Sequence, residues 1–312
     1  MSSLPQPEII FTHESDLDGF VSGCVLQRLA RSLFEITVPL EPLSSRPWAT
    51  LKRFPERAWV CDLSFEPKID REGWVVFDHH ITEHQPESTM LIHDTNHSAA
   101  KLCYNLLASH SEGNGPLKRL VELTNIADLY LNEHPEFNLA SEYAQLVKTY
   151  HFRPLYRLVG NNLESLLDHP LLEIMRLKRK VENPIGLNWS RNHITKITPE
   201  IGYVATTIGD TNYIIHHLLE SDEVPYTSLV TLFKKPNSPV TVSICSQNGE
   251  ALTLAKSLQG GGHPNAAGST LPRSVTTFDE AVTYLKQLLN PESPTEAQPP
   301  SNTEALFDSV GF

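Results

Sequence analysis

The sequence lacks the features of a membrane, secreted or disulfide-bonded protein. No stretch approaches the run of roughly 18 apolar residues that a membrane helix needs. The N-terminal sequence MSSLPQPE has neither the basic region nor the apolar core of a secretory signal. The four cysteines lie far apart and form no CxxC pair, which argues against a disulfide framework or a cysteine zinc site. These absences predict a cytoplasmic protein with no membrane partner.

The sequence also lacks a block of lysine and arginine residues. It has 25 basic and 37 acidic residues, and its formal net charge is −12. A chain of this charge repels a long nucleic acid unless metal ions or a local basic patch intervene. The charge is compatible with a metal site built from carboxylates, and with a small anionic substrate that is held through the metal.

What the sequence does contain is an alternation of strand and helix patterns. This alternation predicts an α/β fold whose N-terminal part is a doubly wound, mostly parallel sheet. Short strands are predicted at 8–12, 35–40, 57–63, 73–78 and 89–94, and helices at 19–33 and 98–110, the latter with Ser98 as its N-cap. Residues 116–180 are predicted to be mainly helical, and Pro184 and Gly186 are expected to end that run.

Strand and helix patterns resume near residue 200 and predict a second, smaller α/β domain. We therefore divide the chain into a domain with a helical connector at 1–190, a second domain at 196–290 and a disordered tail at 291–312. The tail has four prolines, four acidic residues and no lysine or arginine, a composition that does not support a packed core. Its apolar end, ALFDSVGF, is expected to be a frayed end, and a docking peptide for a partner is the weaker alternative.

Acidic and histidine residues stand where three of the predicted strands end. The strands EIIFT, RAWVC and GWVVF are followed, respectively, by His13, Asp16 and Asp18, by Asp62, and by Asp78, His79 and His80. Ligands of an open parallel sheet bind outside the carboxyl ends of its strands, so these residues are predicted to meet at one edge. Taken singly, an aspartate at a strand end is usually an N-cap, and DxDG often makes a turn or a calcium loop. Their occurrence at three strand ends favours a site.

The chemistry of this set favours a hard divalent cation. Carboxylates with imidazoles suit Mn²⁺, Mg²⁺ or Co²⁺ better than a metal that prefers sulfur. Five or six ligands exceed what one cation with open positions needs, so two ions that share a bridging aspartate fit better. Such a pair lowers the pKa of a bridging water and holds phosphoryl oxygens. The predicted substrate class is a phosphate ester or anhydride.

A glycine-rich segment in the second domain supplies another signal. The segment LQGGGHPNAAGST has Gly260, Gly261 and Gly262 directly before His263. Three glycines let backbone N–H groups approach an anion, and the histidine can donate a hydrogen bond to a phosphate. The segment is therefore predicted to bind substrate, and a structural turn between a helix and a strand is the alternative.

Together, these segments resemble a known family. The segments THESDLDG, CDLS, FDHH, NIADLY and GGGHPNAAG, in that order, are similar to the motifs of the DHH phosphoesterases with a DHH-associated C-terminal domain. The resemblance covers about residues 1–290. It implies two lobes around a cleft, a centre with two Mn²⁺ or Mg²⁺ ions, and hydrolysis of phosphodiester or phosphoanhydride bonds.

The resemblance also implies metal ligands. The two ions would be held by His13, Asp16 and Asp62, and by Asp18, Asp62, His79 and Asp128. Asp62 would bridge them. Asp128, in NIADLY, is indicated by the resemblance alone.

Catalytic and substrate-binding roles follow from the same resemblance. Asp78 would orient a histidine through its ring N–H, and His80 would face the substrate or the leaving group. Gly261, Gly262 and His263 would bind the far end of the substrate.

One position departs from the pattern of nano-RNase-like members. Many of them carry an arginine in a Ser-x-Arg-Ser stretch before the GGGH segment, where this chain has SICSQ with Cys245 in that place. A cation for phosphate would have to come from another residue, such as Arg153 or Arg157.

Several substrates remain open at this point. The leading one is a short oligonucleotide, and phosphoadenosine phosphate and a cyclic dinucleotide are the alternatives. A nucleotide-binding protein without catalysis on the same fold is the alternative from another class. The sequence is compatible with a homodimer.

Overall fold

The structure is a computed structural model that describes residues 4–82, 84–110, 115–159, 162–221, 224–234 and 238–290. The chain divides into two compact units, Met1–Val181 and Glu182–Phe312. The first unit therefore ends at residue 181, earlier in the chain than residue 190, where the sequence analysis placed the end of the first domain. The predicted tail at 291–312 lies outside the described residues.

The first unit is built on a parallel sheet of five strands. These are β1 (Ile9–His13), β2 (Leu40–Leu43), β3 (Ala58–Cys61), β4 (Trp74–Asp78) and β5 (Met90–His93), in the order β2-β1-β3-β4-β5. Every neighbouring pair is parallel, so the predicted α/β fold with a parallel sheet is confirmed. The second strand lies later than predicted, because Glu35 ends the preceding helix in a left-handed conformation (φ 58°) and the next residues lead back to the sheet edge.

Helices cover the sheet and complete two cores. They are α1 (Leu17–Phe34), α2 (Ser45–Ala49), α3 (Ala99–His110), α4 (Gly115–Asp128), α5 (Phe137–Tyr150), α6 (Phe152–Val159) and α7 (Leu171–Arg191). Side chains alternate along a strand, so Val75 and Phe77 of β4 enter a large core with residues of α1, α3, α4 and α5. Trp74 and Val76 enter a smaller core on the opposite face with Trp48.

The expected helix break at Pro184 and Gly186 is wrong. Helix α7 continues through both residues to Arg191. Gly186 serves a close approach instead, because a Cβ at this position would overlap the carbonyl oxygen of Ile208. A glycine in a helical pattern can mark close packing as well as an end, and the sequence does not distinguish the two.

The second unit has a mixed sheet in the order β10-β11-β9-β8-β7-β6. Its strands are β6 (Ile194–Lys196), β7 (Ile201–Val204), β8 (Ser228–Phe233), β9 (Thr241–Ser246), β10 (Gly261–Gly262) and β11 (Ala266–Thr270), and its further helices are α8 (Thr211–Glu220), α9 (Ala251–Ser257) and α10 (Phe278–Leu289). The predicted second α/β unit is therefore present. None of the helices within the described ranges is both long and apolar enough to cross a lipid bilayer.

Candidate metal centre

Three neighbouring parallel strands, β1, β3 and β4, bring polar residues to one edge of the first sheet. His13 and Asp78 are the last residues of β1 and β4, and Asp62 directly follows β3. Asp62 has a positive φ of 54°, a left-handed conformation that aspartate adopts more readily than most residues. Its N–H still donates to the carbonyl of Phe77 on β4 at 3.1 Å. The chain therefore turns sharply at Asp62 while its backbone stays bonded to the neighbouring strand.

The loop between β1 and α1 holds His13 and Asp16 together. Asp16 is the N-cap of α1, and its Oδ1 accepts the N–H of Gly19 at 2.9 Å. Its Oδ2 lies 2.6 Å from Nδ1 of His13. Gly19 is required sterically, because a Cβ there would overlap the carbonyl oxygen of His13. Asp16 thus combines the N-cap role common for aspartate with a second oxygen beside a histidine.

Asp18 is held by the N-terminus of α3. It is fully buried in the first turn of α1, and its Oδ2 and Oδ1 accept the N–H groups of Ala99 and Ala100, each at 2.7 Å. These are among the first N–H groups of α3, which have no partner within that helix, and the positive end of the helix dipole favours the carboxylate charge. The buried position of Asp18 is therefore compensated by helix α3.

Asp62 lies between two groups of polar side chains. Its Oδ2 is 3.6 Å from Nδ1 of His13, and its Oδ1 is 3.4 Å from Nε2 of His79. The same Nε2 lies 3.8 Å from Asp18 Oδ2 and 3.5 Å from Asp128 Oδ2. Ligand atoms within 4.8 Å of one another are offered by His13, Asp16 and Asp62, and by Asp18, His79 and Asp128. The structure brings together all six residues predicted as ligands, and their role as ligands stays a prediction.

Asp78 orients His80. The Oδ1 atom of Asp78, which is completely buried, lies 2.7 Å from Nδ1 of His80. A hydrogen bond at Nδ1 fixes the ring orientation and sets Nε2 at its far end. Burial lowers the pKa of His80, but the charge of Asp78 and the hydrogen bond to it raise the pKa to about 9. The histidine that Asp78 was predicted to orient is therefore His80.

The carboxylates of the centre oppose one another electrostatically. Burial raises the pKa of Asp18, and with the charge of Asp62 this brings it to about 7. Burial and the charges of Asp18 and Asp62 also raise the pKa of Asp128 well above its ordinary value. Burial lowers the pKa of His79, but hydrogen bonding to Asp62 and the nearby carboxylate charges raise it to about 9. A cation among these side chains relieves their repulsion.

The polar atoms of the centre fit a divalent cation. Asp62 Oδ2, Asp78 Oδ2 and Asp128 Oδ2 are buried and form no hydrogen bond within the described part of the chain. Buried polar atoms normally have a partner, and the donors assembled here are carboxylate oxygens and imidazole nitrogens. This set suits Mn²⁺, Mg²⁺ or Co²⁺.

Sequence reasoning missed Asn125, which connects two parts of the centre. Its Oδ1 accepts the N–H of Ser98 at 2.9 Å, and it lies on α4 within one turn of Asp128. Ser98 in turn accepts the N–H of Lys101 at 3.4 Å through its hydroxyl, as an N-cap does. The α3 N-terminus that holds Asp18 is thereby tied to the helix that carries Asp128. The only signal in the sequence was the position of Asn125 inside NIADLY.

We expect Asn125→Ala to weaken divalent-cation binding while the protein remains folded. The buried N–H of Ser98 would lose its acceptor, which costs about 1–3 kcal/mol, and α3 would hold Asp18 less firmly. Titration calorimetry with Mn²⁺ and thermal denaturation of the metal-free protein measure the two effects. Asn125→Asp keeps an acceptor at this position and should retain more of the affinity. Equal Mn²⁺ affinity in wild type and Asn125→Ala would contradict the assignment.

The glycine-rich segment of the second unit forms a hairpin of β10 and β11. A Cβ at Gly260 would overlap the carbonyl oxygen of Gly268. Gly262 has a φ of +137°, and a Cβ there would lie 2.6 Å from Cα of Ala267. Gly261 has no atom within 4 Å of such a Cβ. Two of the three positions therefore require glycine for steric reasons within the hairpin. The predicted contact of the segment with substrate stays a prediction.

His263 lies at the turn of this hairpin, where its N–H donates to the carbonyl of Ala266 at 2.8 Å. Cys245 lies on the neighbouring strand β9, where it is in register with Ala266 of β11. It is buried, and burial raises the pKa of its thiol to about 11. The position therefore has neither the charge nor the exposure to bind phosphate. Arg153, one of the two arginines suggested as a substitute for the missing phosphate-binding cation, forms an ion pair with Glu41 at 2.9 Å.

Comparison with known proteins identifies the fold. No protein-family model matches the sequence, and no curated protein matches it. Among solved structures, the pGpG-specific phosphodiesterase PggH from Vibrio cholerae matches with a TM-score of 0.51 and 12% identity, over 90% of this chain and 99% of that one. An exopolyphosphatase-related protein from Bacteroides fragilis matches with a TM-score of 0.50 and 14% identity, over 93% of each chain.

RecJ from Thermus thermophilus, solved in complex with Mn²⁺, matches with a TM-score of 0.53 and 14% identity. The match covers 93% of this chain and 53% of RecJ, so the chain spans about half of the RecJ length. At these identities the likeness concerns the fold. The chain has the two-unit α/β fold of these structures, and the resemblance drawn from the motifs is confirmed at the level of the fold.

Proposed function

We propose that this protein is a metal-dependent phosphodiesterase that hydrolyses short oligonucleotides at a centre with two divalent cations. The position of Asp62 carries the proposal. Its Oδ2 lies toward His13 and its Oδ1 toward His79, so this one carboxylate can provide a ligand atom to each of the two groups of metal-binding side chains. The ions, when bound, supply a water of lowered pKa and positive charge beside the phosphoryl oxygens.

The side chains of the centre have distinct tasks in this proposal. One ion would be held by His13, Asp16 and Asp62, and the other by Asp18, Asp62, His79 and Asp128. Asp78 holds His80 in a fixed orientation at 2.7 Å. The charge of Asp78 favours the protonated form of His80, and in that form His80 can donate its proton to the leaving oxygen of the phosphodiester, which is general-acid catalysis.

The neighbouring structures support the substrate class and the metal. One of them is a phosphodiesterase specific for pGpG, which is itself a dinucleotide, and another was solved with Mn²⁺. The net charge of −12 disfavours a long nucleic acid as substrate, because like charges repel. A short oligonucleotide carries few phosphates and is compatible with an acidic protein.

A substrate panel tests the proposal. It contains a dinucleotide, a five-residue RNA, a 20-residue single-stranded DNA, phosphoadenosine phosphate and pyrophosphate, each with Mn²⁺ and after chelation. We expect Mn²⁺-dependent release of mononucleotides, fastest from the shortest RNAs. Preferred cleavage of phosphoadenosine phosphate would support that alternative. Bound metal without turnover of any substrate would contradict the proposed enzymatic activity and favour a nucleotide-binding protein. The nucleotide that raises the Tm of the protein would then identify its ligand.

We expect His263→Ala to raise KM several-fold and to leave kcat nearly unchanged. In the proposed function His263 contacts the end of the substrate away from the scissile bond, so its loss weakens binding without altering the reacting groups. Steady-state kinetics on the preferred oligonucleotide measure both constants. Asn265→Ala, at an exposed position of the same hairpin turn, is the matched control. An unchanged KM with a collapsed kcat would show that His263 has another role.

A further inference from the structure

Helix α7 carries a row of large apolar side chains that are exposed. Their exposed fractions are 52% for Ile174, 62% for Leu177, 51% for Val181, 54% for Ile185 and 43% for Trp189. Residues three or four apart lie on one face of a helix, so these five form a continuous row, named here the α7 stripe. Single exposed apolar residues are ordinary, whereas a contiguous patch marks an interaction surface.

The charges of α7 restrict what can cover the stripe. The helix has five basic residues, Arg176, Lys178, Arg179, Lys180 and Arg191, and two acidic ones, although the whole chain has a net charge of −12. A second copy of α7 packed along the stripe would bring two basic helices side by side, and like charges at such close range oppose association. An acidic segment with its own apolar side chains is complementary to this surface.

The C-terminal residues of the chain have this composition. Residues 291–312 contain four acidic residues and no lysine or arginine. Near the end, Leu306, Phe307 and Val310 have the spacing of one helical face, and Glu304 and Asp308 accompany them. The sequence therefore provides an acidic, amphipathic segment that the proposed phosphodiesterase activity does not use.

The segment can reach the stripe within the second unit. The described chain ends at Asn290, directly after α10, and residues 291–304 span at most about 45 Å when extended. A unit of about 100 residues has a radius of gyration of about 13 Å. Ile185 and Trp189 belong to the same unit as α10, so connection length does not prevent docking on them.

We propose that the C-terminal segment 304–312 docks on the α7 stripe of the same chain. Leu306, Phe307 and Val310 cover the end of the stripe that contains Ile185 and Trp189, and the acidic side chains lie on the side of Arg191, the basic residue at that end of the helix. Docking of an amphipathic segment in this manner is a common mode of peptide recognition. The proposal is independent of the enzymatic activity.

Trp189 is a built-in probe for this docking. Trp48, Trp59 and Trp74 are at most 2% exposed, in contrast to Trp189. The experiment compares the full-length protein with the full-length double variant Leu306→Asp/Phe307→Asp, and subtracts the spectra of matched Trp189→Phe proteins. We expect the double variant to shift the Trp189 emission to longer wavelength and to increase its quenching by acrylamide. Ser309→Ala, which leaves the apolar residues intact, should behave as wild type.

A second arm restores the segment in trans. The synthetic peptide SNTEALFDSVGF, added to the double variant, should reverse the shift, whereas a scrambled peptide of the same composition should not. Because charge contributes, added salt should weaken the effect. Equal quenching in wild type and double variant would overturn the proposal. So would shielding of Trp189 that depends on protein concentration or accompanies a dimer in sedimentation, since a second chain would then cover the stripe.

Discussion

Asp62→Ala is expected to abolish binding of both metal ions and to lower turnover by several orders of magnitude. The two oxygens of Asp62 lie toward different histidines, at 3.6 Å from His13 and 3.4 Å from His79. Removing this carboxylate therefore takes a ligand from both groups at once. The number of Mn²⁺ ions retained after dialysis and the hydrolysis rate of the preferred oligonucleotide measure the two losses.

Controls separate this effect from unfolding. Asp62→Asn keeps the size of the side chain and removes its charge, so it should bind metal poorly while its circular dichroism matches that of wild type. Asp279→Ala, in the first turn of α10, removes an aspartate far along the chain from the centre and should leave Mn²⁺ binding unchanged. An Asp62→Ala protein that retains two ions and its activity would falsify the dinuclear proposal.

Gly19→Ala is expected to destabilise the first unit by about 1–3 kcal/mol, the usual cost of overpacking, and to weaken metal binding. The new Cβ would overlap the carbonyl oxygen of His13 and lie 2.7 Å from its Cβ. Backbone atoms cannot move aside as a flexible side chain can, so the loop between β1 and α1 must shift. That loop sets the 2.6 Å contact between His13 and Asp16, which is therefore lost or lengthened.

Urea denaturation and Mn²⁺ titration measure the two consequences. Gly115→Ala is the matched control in the same unit, because no atom lies within 4 Å of a Cβ at that position. At the start of a helix this change should be neutral or slightly stabilising. If Gly19→Ala unfolded at the same urea concentration as wild type and bound Mn²⁺ equally well, the steric role of Gly19 would be wrong.

Local sequence patterns predicted the parallel sheet and the positions of most strands. The apolar runs at 57–63 and 73–78 contain the observed β3 and β4, because a strand buried on both faces needs a short, continuous apolar segment. The local pattern gave a wrong prediction where the same residue type is compatible with two different local structures. Gly186 is compatible with a helix end and with close packing, and the choice depends on Ile208, which no local window contains.

The sequence by itself determined which chemical groups this protein places at the ends of three strands, and therefore the class of cation that suits them. Tertiary structure alone decided how these groups face one another. It directs the two oxygens of Asp62 to different histidines, joins Asp78 to His80, and ties Asn125 to Ser98. A periodic pattern reports only which face of an element is apolar. Contacts between side chains of different elements depend on how the helices pack on the sheet, and no local pattern contains that information.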